Sequence, residues 1–371
     1  MCEVAHLLQA RIVMLVDLDY FYAQCEEMRN PSIKGKPVVV CVYSGRTENS
    51  GAVSTANYIA RKYGVKSGIP VSLAKKKLKD AAAIFLPVDH PFYKVTSEKI
   101  MNILRDYTDH FEQVGIDEAF QDVTQRTKNN YLEAEKLASL IKSKISAKEK
   151  LTCSIGVGPN KIVAKIASNI QKPDGLTIVR AHDVASFLSP LSVRRMVGVG
   201  KKTEKKLETL GVRTIGHLSR FDVQRLVEVF GRKKGTYFHN ASNGVDDEQV
   251  QERGLPESMS RISTLKENTK TLVVILDEAY KLCDEVFSTI FHQGLVYKSV
   301  SIHIVGSDLA VFSRSRTLEN STNDLQTFKQ VVTELFVQFL GESNVELRRI
   351  GVKVSNLTRK EAGQKHLMNF F

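Results

Sequence analysis

Cysteine is scarce and unpaired in this 371-residue sequence. Cys2, Cys25, Cys41, Cys153 and Cys283 are odd in number and form no C-x-x-C pair. That excludes a disulfide framework and points to a reducing, cytoplasmic setting. Cys41 and Cys153 lie in apolar runs, where a free thiol packs as a small hydrophobe. No apolar run approaches the roughly 18–20 residues that span a bilayer, and the first residues lack the hydrophobic region of a signal peptide. An internal repeat, a low-complexity tract and the G-x-x-x-x-G-K-S/T loop are all missing. Acidic residues are the minority: 41 Asp and Glu against 53 Lys and Arg give a net charge of +12 and a pI near 9.3. A basic surface without an amphipathic membrane helix favours nucleic acid over anionic lipid as partner. At 42% hydrophobic and 25% charged, the chain reads as an ordinary globular protein with material for two to three domains.

Where acids do occur, they are concentrated. Residues 12–22 run Ile-Val-Met-Leu-Val-Asp-Leu-Asp-Tyr-Phe-Tyr, an apolar run ending in Asp17 and Asp19. The run reads as a buried strand, which puts both carboxylates on one face, roughly 6.6 Å apart. A lone D-x-D also fits an exposed loop with solvated acids. The second cluster, Phe111 to Val123 with Asp117 and Glu118 adjacent, tilts the choice, because it reads as a strand or as a hairpin turn between two strands. Neither stretch holds His or Cys, so the ligands are hard oxygens suited to Mg²⁺ or Mn²⁺. Carboxylates from two strands can hold two such ions about 3.5–4 Å apart, an arrangement used in phosphoryl transfer.

Periodicity organises the rest. Helices are predicted over 22–28, 72–80, 93–107, 131–150 and 161–169, and strands over 38–43 and 151–157. The order fits an antiparallel sheet with helices on one face. Val197-Gly198-Val199-Gly200, a candidate cap at Thr203, and Leu210-Gly211-Val212 suggest a helix-hairpin-helix. Its glycines let backbone N–H groups reach a phosphate beside Lys201. Asn243 to Glu257 is turn-rich and reads as a linker. Beyond it, strands over 258–265, 299–305, 311–317 and 347–355 alternate with helices over 270–290 and 324–340.

Asp17-x-Asp19-Tyr20-Phe21-Tyr22-Ala23, Lys34-Gly35-x-Pro37-Val38, Ser54-Thr55-Ala56-Asn57-Tyr58-x-Ala60-Arg61, Ile116-Asp117-Glu118-Ala119 and Asn160-Lys161-x-x-Ala164-Lys165-x-Ala167-Ser168 together resemble a Y-family, or translesion, DNA polymerase. The likeness is greatest to archaeal members of the DNA polymerase IV branch and covers about 11–360. Leu18 stands where an aromatic is common, and Gly115 where Ser is usual; neither replaces a ligand. The resemblance implies an α+β, right-hand fold. Palm would occupy 1–29 and 89–179, fingers 30–88, thumb 180–240, linker 241–257 and a β-α-β-β-α-β little finger 258–356. A tail would follow over 357–371.

It further implies a distributive, low-fidelity, two-metal DNA polymerase, acting as a monomer with Mg²⁺ on dNTPs and primer-template DNA. Asp17, Asp117, Glu118 and the Leu18 carbonyl would be ligands, with Asp19 structural. Tyr20 and Phe21 (through backbone amides), Thr55, Tyr58, Arg61 and Lys161 would bind the triphosphate, and Tyr22 would exclude a 2′-hydroxyl. Ala52, Ser54, Ser67 and Gly68 would roof the nascent base pair. Gly198, Gly200, Lys201, Arg261, Arg314, Arg316 and Arg349 would meet DNA phosphates. Gln364, Leu367, Phe370 and Phe371 fit the Q-x-x-h-x-x-a-a pattern that docks replication proteins on a ring-shaped sliding clamp. Two other readings stay open: a two-metal palm that does not copy DNA, such as a nucleotidyl cyclase, and a catalytically inactive DNA-binding or clamp-adaptor protein. Primer extension separates all three.

Overall fold

The computed structural model describes residues 11–359. In chain order the first elements are β1 (Val13–Leu18), α1 (Phe21–Arg29), β2 (Val38–Tyr43), β3 (Gly51–Ala56), α2 (Tyr58–Lys62), α3 (Val71–Lys77) and β4 (Ile84–Pro87). Next come α4 (His90–Arg105), β5 (His110–Gln113), β6 (Glu118–Asp122), α5 (Tyr131–Glu149), β7 (Cys153–Gly158), α6 (Lys161–Ser168) and β8 (Leu176–Ile178). Five helices follow: α7 (Val184–Leu188), α8 (Lys201–Thr209), α9 (Ile215–Ser219), α10 (Val223–Phe230) and α11 (Arg232–Ser242). The last stretch is β9 (Ser258–Thr269), α12 (Leu272–His292), β10 (Leu295–Gly306), β11 (Val311–Thr322), α13 (Leu325–Glu342), β12 (Leu347–Ser355) and β13 (Thr358–Arg359). Two compact units result. Among the described residues, one comprises 11–40, 54–67 and 78–253; the other comprises 41–53, 68–77 and 254–359. The segment expected as fingers is thus divided between them.

In the first unit a five-stranded sheet has the order β5-β6-β1-β7-β8. Strand alternation sorts β1 cleanly. Met14, Val16 and Leu18 pack with Tyr93, Ile100 and Leu104 of α4 and with Ala138, Ile141 and Ile145 of α5. Val13 and Leu15 turn the other way, towards Ala164 of α6, Phe120 and Val250. The expectation of an antiparallel sheet with helices on one face is therefore corrected twice. The helix α6 covers the opposite face, and β8 runs parallel to β7, because α6 is the crossover between them. Close packing of α6 requires Gly156: a Cβ there would lie 2.1 Å from the Ala164 carbonyl oxygen and 2.2 Å from the Ser168 nitrogen.

The segment expected as a linker is packed on this unit up to Arg253. Val250 is buried in the α6-side core. The Arg11 guanidinium donates to the Glu248 and Asp246 carbonyls at 3.0 and 2.9 Å, and Asn160 Nδ2 donates to the Gly244 carbonyl at 2.6 Å. This stretch forms a strap across the palm.

The helices α7 to α11 share a core with α6, in which Ile162, Val163 and Ile166 pack with Leu188, Leu207, Val212, Ile215, Leu226 and Phe238. Gly198 takes φ +83 in the turn before α8, a conformation open to glycine. The cap of α8 is Gly200, and Thr203 lies inside the helix.

The second unit contains a sheet ordered β11-β10-β12-β9, with α12 and α13 on one face. From β9 to β12 the element order is β-α-β-β-α-β, as the sequence suggested.

Candidate active site

The strand β1 pairs antiparallel with β6 so that Asp17 stands directly opposite Glu118. Asp117 is the last residue of the turn from β5, and its carbonyl accepts the Leu18 N–H at 2.8 Å. Three acids therefore meet at one end of a buried strand, where like charges facing each other are unfavourable. The burial of Asp117, with Asp17 and then Glu118 beside it, pushes its pKa up to about 6. Cations offset the rest. Lys165 of α6 bridges Glu118 and Asp17, the latter at 3.3 Å, and Lys172 Nζ lies 2.5 Å from Asp17 Oδ1. Burial alone would lower the Lys165 pKa, but the two carboxylates raise it on balance.

Among the described residues, no group of three His, Cys, Asp or Glu side chains is already drawn together around a metal position. The lysines hold the acids instead. The donor chemistry still fits hard divalent cations: three carboxylates and no sulfur or imidazole. Asp19 is fully buried and accepts from Thr152 Oγ1 at 2.9 Å, Ser154 Oγ at 2.8 Å and the Asp174 N–H at 2.8 Å. Its oxygens are fully engaged in structure.

Aromatics line the entrance to the site. Tyr20 caps α1 with φ +34, a left-handed conformation that turns the chain sharply, and no side chain caps that helix. The Tyr20 and Tyr58 rings meet edge to face at 5.4 Å, and the Arg61 guanidinium sits 4.7 Å over Tyr58. Arg61 Nε is held by the Ala56 carbonyl at 2.8 Å. Half-buried Thr55 lies in the adjacent β3. Tyr22 stacks on Tyr93 at 4.3 Å, and burial followed by Asp117 raises its pKa.

Lys161 is elsewhere. Its ammonium is buried between Glu112 at 2.8 Å and Glu248 at 2.9 Å, where it fastens the strap. That corrects its expected place on the triphosphate. The cations at the acids are Lys165, one helical turn on, and Lys172. Lys165 stood in the quoted motif without a role, and Lys172 precedes Pro173 in a turn that no periodicity marks.

The register also divides the four arginines expected to meet DNA phosphates. Arg261, Arg314 and Arg316 stand opposite Val352, Ile302 and Val300, on the helix-covered side. They pair with helix carboxylates: Arg261 with Glu285 at 3.5 Å, Arg314 with Glu342 at 2.8 Å, and Arg316 with Glu334. The open face carries Arg349, Lys353, His303 and a field of hydroxyls from Ser260, Ser301, Ser313 and Ser315. Within the second unit, Arg349 lines a groove of about 850 Å³ with Ala52, Gly68 and Ile262.

An acidic palm built with a hairpin thumb defines a nucleotidyl-transferring polymerase. Residues 16–169 match the impB/mucB/samB family model and 256–367 its C-terminal domain, while 194–246 match the thumb domain of DNA polymerase-iota. DNA polymerase IV of Nitrosopumilus maritimus is 47% identical over 98% of this chain and 100% of its own length. The enzyme of that name from Methanosarcina acetivorans is 42% identical over 97% and 99%. A solved Y-family chimera of Dbh and Dpo4 superposes with a TM-score of 0.89 at 36% identity, covering 94% of this chain and all of its own. The chain belongs to the Y-family of translesion DNA polymerases, on the DNA polymerase IV branch, and is a DNA-directed DNA polymerase. Among the described residues, no helix is long and apolar enough to cross a membrane.

Proposed function

We propose that this chain extends a DNA primer by two-metal nucleotidyl transfer, distributively, with low fidelity and past damaged template bases. The observation that carries this reading is the opposition of Asp17 and Glu118 across β1 and β6, with Asp117 beside them. These carboxylates and the Leu18 carbonyl would hold two Mg²⁺ ions, with Mn²⁺ as a substitute. Such ions, when bound, lower the pKa of the primer hydroxyl and neutralise charge on the triphosphate and departing pyrophosphate.

The protein's own part is placement. Once the acids have another counter-charge, Lys165 and Lys172 are released to face the triphosphate, beside Thr55, Tyr58 and Arg61. The uncapped start of α1 offers the Tyr20 and Phe21 amides to the same phosphates. Tyr22, braced by Tyr93, sits beneath the sugar and leaves no room for a 2′-hydroxyl. Gly198, Gly200 and Lys201 take a duplex phosphate at the start of α8. The open face bearing Arg349 and Lys353 takes others. The small groove residues Ala52 and Gly68 leave space for a damaged base.

The clamp-docking residues Gln364, Leu367, Phe370 and Phe371 lie outside the described residues. They support tethering to a sliding clamp, which raises the effective concentration at the primer end. The chain acts as a monomer in the cytoplasm on this reading. Primer extension with wild type, Asp117→Ala and Glu118→Ala tests the core of it. Loss of incorporation with DNA binding retained is expected, and wild-type-like extension by Asp117→Ala would overturn the assignment.

A further inference from the structure

The turn that presents Lys172 is gripped from both faces of the palm sheet. Lys172-Pro173-Asp174-Gly175 joins α6 to β8, with Asp174 at φ +55. From just past the end of β1, on the α6 side, the Asp19 carboxylate accepts the Asp174 N–H at 2.8 Å. From α5, across the sheet, Lys142 Nζ donates to the Asp174 carbonyl at 2.5 Å, Asp174 Oδ1 at 2.7 Å and the Gly175 carbonyl at 3.1 Å. It also reaches the Cys153 carbonyl on β7 at 2.9 Å, which ties the turn to the sheet.

An ammonium has three protons, and here four acceptors close around it. Lys142 is not needed to seat α5, whose core-facing residues are Ala134, Ala138, Ile141 and Ile145. Its side chain is nonetheless only 18% exposed, because it lies along the turn. The end of β1 and the residue just past it therefore hold this turn at two points, through alternate residues. Asp17 takes the Lys172 ammonium, and Asp19 takes the backbone two residues later.

We propose that Lys142 and Asp19 are positioning residues for nucleotidyl transfer. They lock the backbone at Asp174 so that the Lys172 ammonium stands ready at the acids, where it meets the triphosphate of the incoming nucleotide. Neither touches the reacting atoms; both act through the turn. The proposal rests on the reading of Asp17, Asp117 and Glu118 as the reaction centre.

The test uses the full chain as wild type, Lys142→Met, Lys142→Arg, Lys172→Ala and the Lys142→Met/Lys172→Ala double variant. Single-nucleotide incorporation is measured at varied dNTP on primed DNA. Lys142→Met should raise KM for dNTP about tenfold while kcat changes less than about threefold, and Lys142→Arg should recover most of the loss. In the Lys172→Ala background the Met substitution should add nothing. Amide exchange at residues 174–175 should accelerate in Lys142→Met with no fall in Tm. Multiplicative effects in the double variant, an unchanged KM, or faster exchange throughout the first unit would each overturn the proposal. An Asp117→Ala enzyme that still extended primers would remove the reaction centre and the proposal with it. If Asp117→Ala is inactive and the two lysines act independently, the proposal alone falls.

Discussion

Lys161 and Lys165 stand one helical turn apart on α6, and each ends between two carboxylates, yet they serve different parts of the protein. Lys161 joins Glu112 to Glu248 on the strap, whereas Lys165 joins Asp17 to Glu118. The side chains of Lys161 and Glu112 are each only 7% exposed. Removing one partner of a buried pair costs about 3–5 kcal/mol when the other charge is left bare; Arg253, 3.7 Å from Glu112, keeps the cost of losing Lys161 below that. Lys161→Met should lower the Tm and leave KM for dNTP unchanged. A raised KM at unaltered Tm would return Lys161 to the triphosphate.

Asp117 makes the metal-free protein pH-sensitive. Its folded pKa of about 6 lies above the unfolded carboxylate range, so the folded state binds the proton more tightly. The group's contribution is then most favourable at low pH and is lost as pH rises through about 6. In chelator, Asp117→Asn should stabilise the protein more at pH 8 than at pH 5, read as the difference in Tm from wild type. Added Mg²⁺ should raise the wild-type Tm more at pH 8 than at pH 5.5, since proton and cation compete for the same carboxylate. Equal Mg²⁺ shifts at both pH values would contradict the assignment.

The division of arginines in the second unit can be read from salt titrations. Each duplex phosphate contact contributes about 0.9 to the slope of log affinity against log salt. Arg349→Ala should reduce that slope by about one contact. Arg316→Ala should leave it unchanged, because its guanidinium is paired with Glu334 on the helix-covered side. Equal effects of the two substitutions would contradict the register argument.

Gly156 sets how closely α6 approaches the sheet. Both atoms that a Cβ would strike belong to helix backbone, so α6 must shift as a body. Gly156→Ala should destabilise by about 1–3 kcal/mol or more, and should cut incorporation by displacing Lys165 from the acids. Denaturant unfolding beside an incorporation assay checks both.

Much of this was legible in the sequence because the apolar pattern is strong where the core is strong. The strand over 38–43 and the helix from 131 appear almost where periodicity places them. The strands β4 and β8 were missed, since four and three residues carry no period. The acids were legible because carboxylates at the end of an apolar strand are costly, whatever surrounds them. The lysines were not: two cations at helical spacing look alike until the carboxylates of β5 and β6 are in place. The division of the second unit's arginines between two faces was not legible for the complementary reason. A strand shows which residues share a face, but the helices decide which face is covered.

The strap has a consequence for how the palm is made. Arg11 and Glu248 meet across 237 residues of chain, and Val250 completes the core behind a strand that starts at Val13. During synthesis the first palm strand emerges early, while the residue that seals its second face emerges only after every thumb helix. Contacts between such distant segments form slowly, and an unsealed apolar sheet face is prone to aggregation until they do. The nascent palm therefore waits, covered by α6 but not yet sealed, for its last ten residues. A chain truncated after the thumb at residue 243 would hold every acid and lysine of the reaction centre and still lack a finished palm.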